Sequence, residues 1–170
     1  MFKIGEIIMH QGLGICEIKE IVKRQLSKTE FREYYVLKPV YSNEKTTVFV
    51  PTDYDSSKIR IRYPLSREEL TEIINSVSFK NKLWIDDHSL RQEQFNKIIR
   101  SGKHTEIIQL IVELHKNEEE RIDNGKKPRM SDTKLLKDAE KFINEEYAYV
   151  FDLEITDTPN FIKSNLKTAL

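Results

Sequence analysis

The spacing of apolar residues along the chain changes character once, near Leu65. Before that point apolar and polar positions alternate at a period of two, in short runs rich in β-branched and aromatic residues. This pattern predicts strands at 6–10, 15–22, 31–38, 46–50 and 58–62. In Thr46-Thr-Val-Phe-Val50 the side chains of Val48 and Val50 share one face, so Phe49 points the other way and is a candidate surface aromatic. In Ile59-Arg-Ile-Arg62 the isoleucines face inward and the arginines outward. Strands this short bury an apolar face most economically by curling into a small SH3-like or Tudor-like barrel, with Gly12 and Gly14 bending the chain between the first two.

From Ser66 the period becomes that of a helix. Ser66-Arg-Glu-Glu69 is a capping box, and Leu70, Ile73, Ile74 and Val77 form the apolar stripe behind it. A second helix is expected over 87–101, with Leu90, Phe95, Ile98 and Ile99 inside and Gly102 as its stop. A third spans 103–123 and buries Ile107, Ile108, Ile111 and Leu114, ending at Asn124-Gly125. Beyond the basic turn Lys126-Lys-Pro-Arg129, Ser131 is the expected cap of a fourth helix with the stripe Leu135, Ala139, Phe142, Ile143, Tyr147 and Val150, and a short fifth covers 159–167. The fold class is therefore α+β in two domains, a β-barrel at 1–65 and an all-α domain at 66–170.

Charge sharpens this division. The 170 residues carry 28 basic and 28 acidic side chains, yet residues 1–65 hold 11 basic against 8 acidic, leaving 17 against 20 for the remainder. A nucleic-acid contact would have to come from a local patch rather than from the whole surface. No apolar run is long enough to span a bilayer and no signal-peptide pattern opens the chain, so a cytoplasmic protein without a membrane partner is expected. Cys16, the one cysteine, lies in an apolar strand pattern and reads as a buried structural thiol.

Catalytic chemistry is not encoded. His10, His88, His104 and His115 stand at no metal-ligand spacing, and His104 and His115 read as partly exposed helix residues. Gly12-Leu-Gly14 lacks the third glycine and the helix of a dinucleotide site. Asp86-Asp87, just before a helix, suits capping better than acid–base work. No enzyme activity, cofactor or metal is expected.

Trp84, the sole tryptophan, falls between two helices, where it either plugs their joint or makes an exposed contact. Around it residues 80–103 contain Lys80, Lys82, Arg91, Lys97, Arg100 and Lys103 against Asp86, Asp87 and Glu93. An aromatic beside lysines and arginines is the equipment of minor-groove binders, in which phosphate contacts offset the cost of unstacking a base step.

The residues Phe2, Gly5-Glu-Ile-Ile8, Gly14-Ile-Cys16, Ile18, Ile21, Glu33-Tyr-Tyr-Val-Leu37, Val48-Phe-Val-Pro51 and Ile61-Arg62, in this order and spacing, resemble the CarD/CdnL family of bacterial transcription regulators. The N-terminal part is also similar to the polymerase-interacting domain of transcription-repair coupling factors. The resemblance continues through Trp84 and Ser101-Gly102. It implies a Tudor-like barrel that binds the RNA polymerase β subunit, partly by adding a strand at a sheet edge. It implies also a helical domain whose tryptophan, here Trp84, wedges into the promoter minor groove at the upstream edge of the bubble.

Arg24, with Lys23 beside it, matches a basic residue that the family sets against polymerase; the second such position is Phe49, next to Val48. The expected polymerase contacts are thus Arg24, Lys23, Phe49 and Val48, and the expected DNA contacts are Trp84, Lys80, Lys82, Arg91 and Lys97. Where the family has basic residues after the tryptophan this chain has Ile85-Asp86-Asp87, which implies low direct DNA affinity, compensated by tethering to polymerase. The expected function is stabilisation of the promoter open complex, and the alternative is a polymerase-binding adaptor that leaves DNA alone. A monomer is expected, with a domain-swapped dimer as the variant that a short connector allows.

Overall fold

The computed structural model describes residues 1–25, 27, 30–42, 47–55, 59 and 61–166. Period-two alternation becomes one five-stranded antiparallel sheet, formed by β1 (Ile7–His10), β2 (Gly14–Gln25), β3 (Phe31–Pro39), β4 (Val48–Pro51) and β5 (Ile61–Arg62) in the order β4-β3-β2-β1-β5. Thr46, Lys58 and Arg60 of the expected strands lie outside the described residues. The second strand runs beyond its expected end to Gln25, since Lys23, Arg24 and Gln25 remain paired with Glu33, Arg32 and Phe31 although they extend past the core.

The core of this sheet is Ile8, Cys16, Ile18, Tyr35, Leu37 and Val50, with Phe2, Leu13, Ile21 and Val48 packed at its margin. Cys16 is wholly buried, as its strand pattern implied. Gly14 takes a left-handed conformation (φ 82°) at the start of β2, the sharp element of the β1–β2 turn. The opening residues hook onto β2 at its irregularity between Ile18 and Glu20. There the Gly5 amide donates to the Ile18 carbonyl (2.7 Å) and the Phe2 amide to the Tyr35 hydroxyl (3.1 Å). The Glu6 carboxylate accepts from the Lys3 amide and the Tyr63 hydroxyl, both at 2.8 Å, and these bonds hold its carboxyl below the usual range.

The second half forms α1 (Arg67–Ser76), α2 (His88–Ser101), α3 (His104–Asp123), α4 (Met130–Phe151) and α5 (Thr158–Asn165). Ser66 caps α1 reciprocally with Glu69, satisfying two otherwise free amides. Gly102 ends α2 in the left-handed region, where a side-chain-free residue is least strained. Lys167 of the expected last helix lies outside the described residues. Contacts within the chain separate it into two compact units, Met1–Leu65 and Ser66–Leu170. Among the described residues no helix is long and apolar enough to cross a membrane.

Three expectations for the helices are corrected. Leu90 is exposed, and the buried stripe of α2 is Arg91, Phe95 and Ile98, because Arg91 finds an ionic partner inside while Leu90 faces away. Ser131 does not cap α4: Arg129 occupies the cap position without a side-chain bond, and the Ser131 hydroxyl pairs with His88 instead. His104 is buried rather than partly exposed, held at 2.7 Å by the buried Glu146 of α4.

Candidate functional site

On the sheet, pairing decides which expected contact residues can act together. Arg24 lies opposite Arg32, Val22 opposite Tyr34, Tyr34 opposite Pro51 and Val36 opposite Phe49, so these side chains share one face. The opposite face carries the core residues Tyr35, Leu37 and Val50. Arg24 and Phe49 meet on the outer face, with the guanidinium carbon 3.5 Å from the ring centroid and the ring 37% exposed. Two arginines directly across a strand pair repel each other. Here Arg32 is drawn off by Asp53 (2.7 Å), which raises the pKa of Arg32 and lowers that of Asp53, while Arg24 lies over an aromatic face.

Lys23 and Val48 do not join this patch. Lys23 points to the face opposite Arg24, where it lies 3.4 Å from Glu33, and Val48 packs half-buried against the core. Of the four residues expected to touch polymerase, Arg24 and Phe49 form one surface. Their neighbour β4 is an edge of the sheet, with its other side open to a further strand among the described residues.

In the helical unit the segment between α1 and α2 is fastened at successive points. The Gln109 side-chain amide donates to the Asn81 carbonyl, and the Leu83 amide donates to Glu113 (3.4 Å). Arg91 Nη1 donates to the carbonyls of Ile85 (2.8 Å) and Asp86 (3.1 Å). Asp87 turns into α2 as its cap, accepting from the Leu90 amide at 2.8 Å, and of the acidic pair Asp86 lines the groove with Trp84. Trp84 itself is half-buried. Its ring meets Phe95 edge-on (6.1 Å between centroids) and the Arg91 guanidinium (4.5 Å), and it lines a groove of about 650 Å³.

Lys80 and Lys82 line this groove on the same side as Trp84. Its other side is supplied by Lys116 and Arg121 of α3 and by Arg129, three cations that local charge counting around the tryptophan overlooked. Glu113 and Glu120 lie among them. The pattern Val112, Glu113, Lys116, Asn117, Glu120, Arg121 has helical spacing, but sequence alone does not tell which helix faces the connector.

Two expected DNA contacts are elsewhere. Lys97 is exposed on α2 in an ion pair with Glu93 (2.7 Å) and does not line the groove. Arg91 is only 1% exposed, so it is a poor candidate for touching phosphate; its guanidinium is committed to Trp84, two carbonyls and Asp132. Among the described residues no group of three or more His, Cys, Asp or Glu side chains gathers in a way that could hold a metal.

The family model described as the CarD-like/TRCF RID domain matches residues 2–62, the whole of the sheet. No curated protein matches the chain at a significant level. The N-terminal unit is thus an RNA polymerase-interacting domain. The likeness to CarD-like proteins and transcription-repair coupling factors rests on this unit alone.

Proposed function

We propose that this RNA polymerase-binding regulator docks on the polymerase β subunit through the Arg24–Phe49 patch and the open edge of β4, and that its helical unit then presents Trp84 to promoter DNA at the upstream edge of the bubble. The observation that carries the DNA half is the setting of Trp84. The ring contacts Arg91 and Phe95, and the residue lines a groove shared with Lys80, Lys82, Lys116, Arg121 and Arg129. A rigid aromatic beside cations suits a minor-groove step, where the wedge unstacks bases and the cations hold phosphates. Binding to the melted promoter and not to the closed one stabilises the open complex by mass action.

Asp86, Glu113 and Glu120 in the same groove reduce its net charge, so DNA affinity of the free protein is low and docking on polymerase supplies the effective concentration. These carboxylates also favour the second reading, an adaptor that binds polymerase without touching DNA. Promoter footprinting on the complex of polymerase, promoter and this protein separates the two. Added protection upstream of the bubble that disappears with Trp84→Ala supports the wedge; a footprint identical with and without the protein supports the adaptor.

A further inference from the structure

A helix that buries an arginine needs a reason, because taking a charge out of water costs more than one ion pair reliably returns. Arg91 is among the largest fully buried side chains of the chain, and each part of its guanidinium points at something different. Nη1 holds the carbonyls of Ile85 and Asp86, the two residues that follow Trp84. The guanidinium carbon lies 4.5 Å from the centroid of the Trp84 ring. Nη2 lies 3.5 Å from Asp132 Oδ2 on α4. Asp132, itself buried, accepts from Gln92 Nε2 at 2.7 Å through its other oxygen and reaches Arg129 Nη1 at 3.6 Å.

From this geometry we infer that Arg91 and Asp132 are positioning residues for Trp84, fixing the ring and the backbone after it, and that Arg129 ties the opposite side of the groove to the same pair. The consequence for DNA rests on the reading of Trp84 given above; the mechanics do not. A pair serving only to join α2 to α4 would be expected to use all its polar atoms, yet Arg91 Nε, Arg91 Nη2 and Asp132 Oδ2 make no hydrogen bond. The well-formed bonds of Arg91 go to the tryptophan segment instead. Lysine cannot substitute, since it offers a point charge without the plane that stacks or the fork that reaches two carbonyls.

Because Trp84 is the sole tryptophan, its fluorescence in the full-length protein reports this position alone. Three variants test the inference: Arg91→Lys, which keeps the charge; Asp132→Asn, which keeps an acceptor for Gln92; and the double variant Arg91→Met/Asp132→Leu, which replaces the pair by apolar groups of similar size. The expected result is a native far-ultraviolet circular dichroism spectrum in at least one variant, with red-shifted Trp84 emission. Acrylamide quenching should rise roughly twofold as the ring loses its cover. Unchanged emission and quenching in the folded variants overturns the inference, and so does loss of the fold in all three, which would make the pair a structural staple.

Open-complex lifetime read on the same variants keeps the two claims apart. A moved tryptophan with an unchanged lifetime leaves the positioning role standing and removes the wedge. An unmoved tryptophan removes the positioning role whatever the lifetime does.

Discussion

At His10 one proton decides whether the β1–β2 turn keeps its hydrogen bonds. Nδ1 accepts from the amides of Gly12 (3.1 Å) and Leu13 (3.2 Å), which requires the neutral ring, and burial pushes the imidazole pKa below its ordinary 6.5. The unfolded chain therefore takes up this proton first as pH falls. The stability His10 contributes is full above about pH 6.5 and is lost as pH falls through the lower folded-state value. His115 has the opposite sign. Its bond to Glu140 (2.7 Å) raises its pKa, so its contribution is present below the unfolded value and fades as pH rises through the folded one, weakly because the pair is largely solvated. Thermal midpoints across pH for the wild type, His10→Gln and His115→Gln check both. The acid-side loss should vanish in the first variant and the alkaline-side loss in the second; three parallel curves would contradict the assignments.

At the scale of elements, the caps and stripes that seed the helical unit carry measurable energy. Ser66→Ala removes one side of the capping box and is expected to cost about 1 kcal/mol. Phe95→Ala empties a wholly buried site and removes the edge contact to Trp84, with an expected cost of roughly 3–5 kcal/mol. Denaturant unfolding followed by Trp84 emission measures both, and equal midpoints for the two variants would contradict this ranking.

These elements were also where the sequence was most legible. The capping box, the Gly102 stop and the alternation that turns Phe49 outward are local signals, decided by neighbours within a few residues. Hydrophobicity alone puts Leu90 in the stripe of α2 and leaves Arg91 out of it. An inward arginine is legible only with Asp132 in view, and Asp132 lies on another helix. For the same reason Trp84, Lys80 and Lys82 were found as site candidates, while Lys116 and Arg121, which tertiary packing brings to the groove, were not.

At the scale of the whole molecule the chain divides into two compact units, Met1–Leu65 and Ser66–Leu170. The sheet matches a polymerase-interacting domain over residues 2–62, and in the proposed function it docks the protein while the helical unit acts on the promoter. Arg24→Glu is expected to weaken binding to polymerase by more than about tenfold, or roughly 1.4 kcal/mol, while leaving the fold intact. Phe49→Leu should weaken it less, by removing the aromatic face under Arg24. Affinity for the isolated β lobe checks both, and an unchanged value for Arg24→Glu would move the docking surface elsewhere.

If a polymerase-docked Trp84 holds the promoter open, the lifetime of the open complex in a single-round competitor challenge depends on it. The expected result is a longer lifetime with the wild type, and little extension with Trp84→Ala at concentrations that saturate polymerase. Equal extension by the wild type and Trp84→Ala would contradict it.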